Sequence, residues 1–306
     1  MLDSIRIREP DYGGLPWRQL VLNAERTRDY RAALDSVTVI RGRGLTQGAE
    51  YYTDLIETSI HMMLGQHRAA ERSLQGLIRF AREIESPDSE VLDYVWYLTY
   101  RVMADGDRAK ALADYDEMMA GIDFSDTEKT SQVQGERAYM LAAAGQAERA
   151  RSVMKEYTDA AAPHSLAFDY YAPALEGMIA LNEERYDDAV ASFERVIELF
   201  KVPRMYENEL GLALLRAGRT DEAIARLESA TKSPGFQALI YDNGNSTLAY
   251  RSLGEAYENA GNLDEAIAAY QSFVDRWANA DAHLQPQVSE VRDRISELVA
   301  RQSTDQ

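Results

Sequence analysis

Residues 250–270 read YRSLGEAYENAGNLDEAIAAY, and this stretch decides the fold. Tyr250, Leu253, Gly254 and Tyr257 recur every three or four residues, the spacing of one face of an α-helix. Gly261 then ends that helix, because glycine takes the left-handed backbone cheaply. Asn262 and Asp264 open a second helix, where side-chain oxygens and negative charge suit the exposed N–H groups. Gly254 and Ala266 are small where the two antiparallel helices cross, and Tyr250, Leu253, Tyr257 and Tyr270 fill the space around the crossing. The stretch is a helical hairpin.

Working outward, the same hairpin recurs. Forty-three residues earlier lie Leu210-Gly211, Gly218, Ala223, Leu227 and Ala230, and 34 before those lie Gly177, Tyr186, Ala189 and Phe193. Fainter copies centre on Ala150 (Gly145, Met154), Ala111 (Gly106, Tyr115), Ala70 (Gly65, Leu74) and Ala33 (Trp17, Leu20, Tyr30). The anchoring alanines are spaced by 37, 41, 39, 39, 34 and 43 residues. This register predicts seven hairpins, at about 14–47, 51–84, 92–125, 131–164, 170–203, 204–237 and 247–280. A closing helix at 286–301 places Val288, Val291, Ile295 and Leu298 on one stripe. The longest connection, SPGFQALIYDNGNST, holds the turn signal Asp242-Asn243-Gly244.

The order of large residue, Leu-Gly, aromatic, Ala and aromatic resembles the tetratricopeptide repeat. That resemblance implies an all-α fold: one right-handed α-solenoid spanning 1–306, with an open superhelix rather than a closed ring. It also implies a non-catalytic scaffold that holds a peptide or partner protein in its concave groove. The C-terminal fifty residues resemble more narrowly the tetratricopeptide regions attached to bacterial serine/threonine kinases and related signalling proteins, through Gly254, Tyr257, Phe273, Trp277 and Ala280-Asp281. The narrower likeness implies a docking or sensory appendage, and a regulatory domain that binds a small ligand is the alternative expectation. No Gly-rich loop with a strand lysine, HRD-type loop or DFG stands in the sequence.

In such a stack, positions 2, 5, 9 and 12 of each repeat line the groove. Here they include Tyr52 in the second hairpin, Asp93, Trp96, Tyr100 and Met103 in the third with Tyr97 beside them, Tyr139 in the fourth, and Tyr171 and Met178 in the fifth. Aromatic and methionine side chains supply large, adaptable contact area, which makes these the expected peptide-binding residues. The competing expectation is that the same side chains pack between hairpins. The family's carboxylate clamp needs Lys and Asn where this chain has Arg18, Leu22, Leu55 and Ser59, so capture of a carboxylate tail is not expected.

Charge narrows the partner. The 306 residues carry 51 acidic and 33 basic side chains, a net of -18, and residues 51–200 hold 28 of the acids against 14 bases. Phosphate backbones and anionic lipid surfaces are disfavoured, and a partner with basic as well as apolar residues is favoured. There is no cysteine, hence no disulfide or thiolate site. No apolar run suits a signal sequence or a membrane span, so a cytoplasmic location is expected for the chain or for a longer parent. His61, His67, His164 and His283 form no metal-binding spacing, so neither metal nor cofactor is expected. The acid pairs Glu183-Glu184, Asp187-Asp188 and Asp264-Glu265 sit where they complement helix dipoles. No G-x-S-x-G elbow occurs, and Asn245-Ser246-Thr247 is a chance glycosylation triplet. An α/α toroid hydrolase is a remote alternative, told from an open superhelix by ring closure.

Overall fold

The computed structural model describes residues 29–42, 45, 47–105, 107–122, 132–200, 206–232 and 245–304. Among these residues all regular structure is helical. α1 (Tyr30–Arg41) precedes six hairpins. They are α2 (Gln47–Met63) with α3 (His67–Glu83), α4 (Pro87–Asp105) with α5 (Arg108–Ala120), and α6 (Val133–Ala143) with α7 (Ala147–Ala160). A π-helical turn, Ala167–Tyr171, runs into α8 (Ala172–Asn182), which pairs with α9 (Tyr186–Phe200). α10 (Glu207–Arg216) with α11 (Thr220–Thr231), and α12 (Asn245–Asn259) with α13 (Leu263–Arg276), complete the set before α14 (Gln285–Thr304). α1 supplies the second half of the expected first hairpin. Trp17, Leu20, Gly106 and the Asp242-Asn243-Gly244 turn lie outside the described residues.

The repeat residues do what their sizes dictate. A Cβ added at Gly254 would lie 2.4 Å from the Tyr270 ring, one at Gly211 2.6 Å from Leu227, and one at Gly177 2.9 Å from Phe193. In each of these hairpins a hydrogen stands where the partner helix delivers a large buried side chain, which lets the two backbones approach. The anchoring alanines Ala33, Ala70, Ala111, Ala150, Ala189, Ala223 and Ala266 are all buried. Gly261 sits at φ +80° and donates to Glu258 C=O at 3.0 Å, while Asn262 N–H reaches Tyr257 C=O at 2.9 Å, a Schellman stop. Asn262 is the N-cap of α13 but makes no side-chain cap bond. In the α8–α9 hairpin the left-handed position falls to Glu184 (φ +60°), so the glycine signal is missing there. On α14, Val288, Val291 and Leu298 are buried and Ile295 is half-buried.

The curvature of the stack departs from the expected open superhelix: its last helices lie against its first. The backbone N–H of Asp281 donates to Gly65 C=O at 3.0 Å, and the Asp281 carboxylate accepts from Arg68 N–H at 2.8 Å. α3 has no side-chain cap of its own at Gln66, so a residue more than 200 positions away caps it. Thr247 Oγ1 donates to Met63 C=O at 2.9 Å, at the end of α2, and Gln287 Nε2 donates to Ala104 C=O at 3.0 Å, at the end of α4. These are carbonyls that a helix terminus leaves without an internal partner. Beneath them Gly65 packs under Trp277, Ala280 and Leu284, and His67 Nδ1 lies 3.2 Å from His283 Nε2. The Arg276 guanidinium stacks over the rings of Tyr30 and Tyr250, centred 5.3 and 4.7 Å away. Closure therefore joins capping bonds to apolar packing. It also removes ring closure as the property separating this fold from a toroid.

Candidate binding interior

The side chains expected in the groove lie on α2 (Tyr52), α4 (Trp96, Tyr97, Tyr100, Met103), α6 (Tyr139), the π turn (Tyr171) and α8 (Met178). Most are in the interior. Tyr100 is fully buried, Tyr97, Trp96, Tyr139, Tyr171 and Met178 are each less than one tenth exposed, Met103 is half-buried, and only Tyr52 is open to solvent, at 43%. Tyr100 donates its hydroxyl to Met62 C=O and sets its ring edge-on to His67, 5.2 Å between centroids. Tyr97 donates to His67 C=O at 3.3 Å, and burial pushes its hydroxyl up to about 12 against the opposing pull of Arg101. Both tyrosines thus tie α4 to the turn between α2 and α3. Packing between hairpins is the role their surroundings fit.

Two carboxyl groups stand out in the same interior. Asp93, on α4 and 5% exposed, is pushed up to about 7 by burial, weakly opposed by the Tyr51 hydroxyl at 3.4 Å. Its second oxygen has no hydrogen-bond partner, nor has the indole N–H of Trp96 one turn further along. Glu136, on α6, is likewise pushed up to about 7 by burial, against a 3.0 Å hydrogen bond from Tyr171. Glu136 is enclosed by protein yet keeps part of its surface accessible. Around it gather Tyr139, Tyr170, Tyr171 and Tyr206. Ring centroids are 5.6 Å apart for Tyr139–Tyr206, 5.7 Å for Tyr170–Tyr206 and 4.6 Å for Tyr170–Tyr171. Glu209, 3% exposed, accepts from Asn245 Nδ2 at 3.2 Å and raises the Tyr139 hydroxyl further above its ordinary range, after burial as the larger cause.

Local backbone makes this assembly. The π-helical turn widens the helix by one residue and brings Tyr170 and Tyr171 inward together. Gly135 receives the Tyr171 ring, since a Cβ there would lie 2.2 Å from it. Tyr206 starts α10 from a left-handed conformation, φ +61°. Repeat register singled out Tyr139 and Tyr171 but passed over Glu136, Tyr170, Tyr206 and Glu209. Glu136 and Glu209 fall at position 6 of their hairpins, Tyr170 at position 1 and Tyr206 at position 3, all outside the positions that line the expected groove.

An acid whose folded-state pKa is raised favours folding below its unfolded value and loses that contribution as pH rises through the folded one. For Asp93 this window runs from about 4 to about 7. The expected result is that Asp93→Asn leaves stability at pH 4 nearly unchanged and raises it by about 1–3 kcal/mol at pH 8. Denaturant melts at the two pH values check this, and equal shifts at both would contradict it.

Among the described residues no cluster of three or more His, Asp or Glu could hold a metal ion, and no helix is long and apolar enough to cross a membrane. His67 and His283, remote in sequence, form the close pair at the seam. No curated protein matches the chain. Among solved structures, the crystal structure of the P58(IPK) TPR domain overlays with a TM-score of 0.33 at 13% identity, covering 98% of this chain and 92% of that one. A score that low does not bear on the fold. The narrower resemblance to kinase-attached regions gains no support from these comparisons. The family model that matches is the tetratricopeptide repeat, over residues 175–238 and 208–281. These are the α8–α13 hairpins, whose Gly177, Gly211 and Gly254 receive Phe193, Leu227 and Tyr270, and over residues 175–281 the chain is similar to the tetratricopeptide repeat.

Proposed function

We propose that this protein is a non-catalytic interaction module that docks a partner protein carrying basic and apolar side chains. The repeat match over 175–281 carries the reading, since tetratricopeptide repeats generally mediate protein–protein interaction. The acidic excess of residues 51–200 supports a basic partner. The buried aromatic set offers a partner little surface, so the apolar contacts are assigned to exposed residues instead. Leu166 and Phe168, flanking the start of the π turn, are 40% and 39% exposed, and Leu199 on the neighbouring α9 is also open. Tyr52 remains the one exposed member of the expected groove.

The test is affinity purification from the native host with the wild-type chain and a Leu166→Ser/Phe168→Ser variant. A specific partner should be retained by the wild type, released by raised salt, and reduced at least tenfold by the variant, with the melting temperature unchanged. Retention of the same partner by the variant would sink the assignment of this surface. A partner whose retention does not depend on salt would sink the electrostatic part.

A further inference from the structure

We propose that the interior wall around Glu136 binds a protonated amine or guanidinium group. Glu136 accepts a hydrogen bond from Tyr171 at 3.0 Å, and among the described residues no Lys or Arg contributes to the field it feels. A carboxylate enclosed without a cation is a standing electrostatic demand, which a bound cation would meet. The second, separate observation is Tyr139. Its side chain is more than nine-tenths buried, it faces Glu209 and Glu136, and its hydroxyl makes no well-formed hydrogen bond among the described residues, with the Glu209 carboxylate beside it. On the same wall Asn245, which donates to Glu209, leaves its Oδ1 unpartnered.

The free groups share a preference. The Asn245 carbonyl oxygen, the phenol oxygen of Tyr139 and the carboxyl of Glu136 all accept hydrogen bonds, and the electron-rich Tyr139, Tyr170 and Tyr206 rings pack together beside them. A cation with several N–H donors is the ligand class whose chemistry suits each of them. An anion would face two carboxylates, and an uncharged apolar group would leave Tyr139 and Glu136 unsatisfied. Glu136 as a residue is half-buried, on the side of the wall nearest solvent access. The cation could be a free small molecule or the Lys or Arg side chain of a partner. The inference does not depend on the docking surface at Leu166 and Phe168, which shares no residue with this wall.

Calorimetry on the full chain with three probes tests it: butylguanidinium, its neutral isostere butylurea, and the peptide acetyl-Ala-Ala-Arg-Ala-Ala-amide. Butylguanidinium is expected to bind saturably and at least about tenfold more tightly than butylurea, with proton release at pH 7 seen as a dependence on the buffer's ionisation enthalpy. Glu136→Gln, which keeps an acceptor for Tyr171, should weaken butylguanidinium at least tenfold. Tyr139→Phe, which removes only the unpartnered hydroxyl, should weaken it severalfold. Glu222→Gln, an exposed acid paired with Arg219, should leave it unchanged. A peptide that binds at least as well as butylguanidinium identifies a partner's side chain as the source, and a peptide that fails while butylguanidinium binds identifies a free amine. Equal affinity for butylguanidinium and butylurea, undiminished binding to Glu136→Gln and Tyr139→Phe, or no saturable binding would each overturn the proposal.

Discussion

Gly65→Ala is expected to destabilise the protein by about 2–4 kcal/mol and to part the two ends of the stack. Two effects combine. Gly65 has φ +67°, where an L-residue pays about 1–2 kcal/mol. Its new Cβ would also stand 2.8 Å from Ala280 Cβ, 3.1 Å from Trp277 and 3.2 Å from Leu284, and overpacking of this kind typically costs about 1–3 kcal/mol. Gly218→Ala separates the terms. Gly218 has φ +77° but nothing within 4 Å of the added Cβ, so that variant bears the backbone cost alone. Denaturant melts should therefore place Gly65→Ala well below Gly218→Ala, and small-angle scattering should show a larger radius of gyration for Gly65→Ala only. Equal losses with equal radii would mean that the ends do not meet in solution.

The second large effect is expected from Trp96→Ala combined with Tyr100→Ala. Removal of a buried aromatic side chain costs about 3–5 kcal/mol, so the pair approaches the whole stability of an ordinary domain. Both sit on α4 in the continuous core, and Tyr100 also ties that helix to Met62 at the end of α2. Circular dichroism should show loss of helix, or a melting temperature far below that of the wild type. A variant that stays folded at wild-type stability but loses its partner would instead return these residues to the binding surface. Tyr100→Phe refines the result. It keeps the ring and deletes the hydroxyl bond to Met62, a change of about 1 kcal/mol, so a much larger loss would mark the buried polar contacts with His67 as part of the seam.

The register of the aromatic positions was legible, and what those side chains face was not. Positional reading of the repeat put Trp96, Tyr100, Tyr139 and Tyr171 at equivalent places on successive hairpins, because helical spacing puts fixed positions on fixed faces. Whether that face meets solvent depends on how far the stack curls, a sum of small rotations between hairpins that local patterns do not encode. Here the curl brings Asp281 onto α3 and Gln287 onto α4, and the aromatic face is packed inside. Glu136 shows the same limit from the other side: as one acid among 51 it carries no signal, and its raised proton affinity comes from enclosure.

By itself, then, the sequence determined the hairpin and its packing rule. Gly254 against Tyr270 and Gly261 at the turn follow from local sterics, which act between residues at short separation and read directly from order and size. Only the tertiary structure decided that Gly65 meets Trp277, that His67 meets His283, and that Glu136 lies among four tyrosines. Those contacts join residues up to more than 200 positions apart, and they exist because many hairpin-to-hairpin rotations add up to bring the ends together.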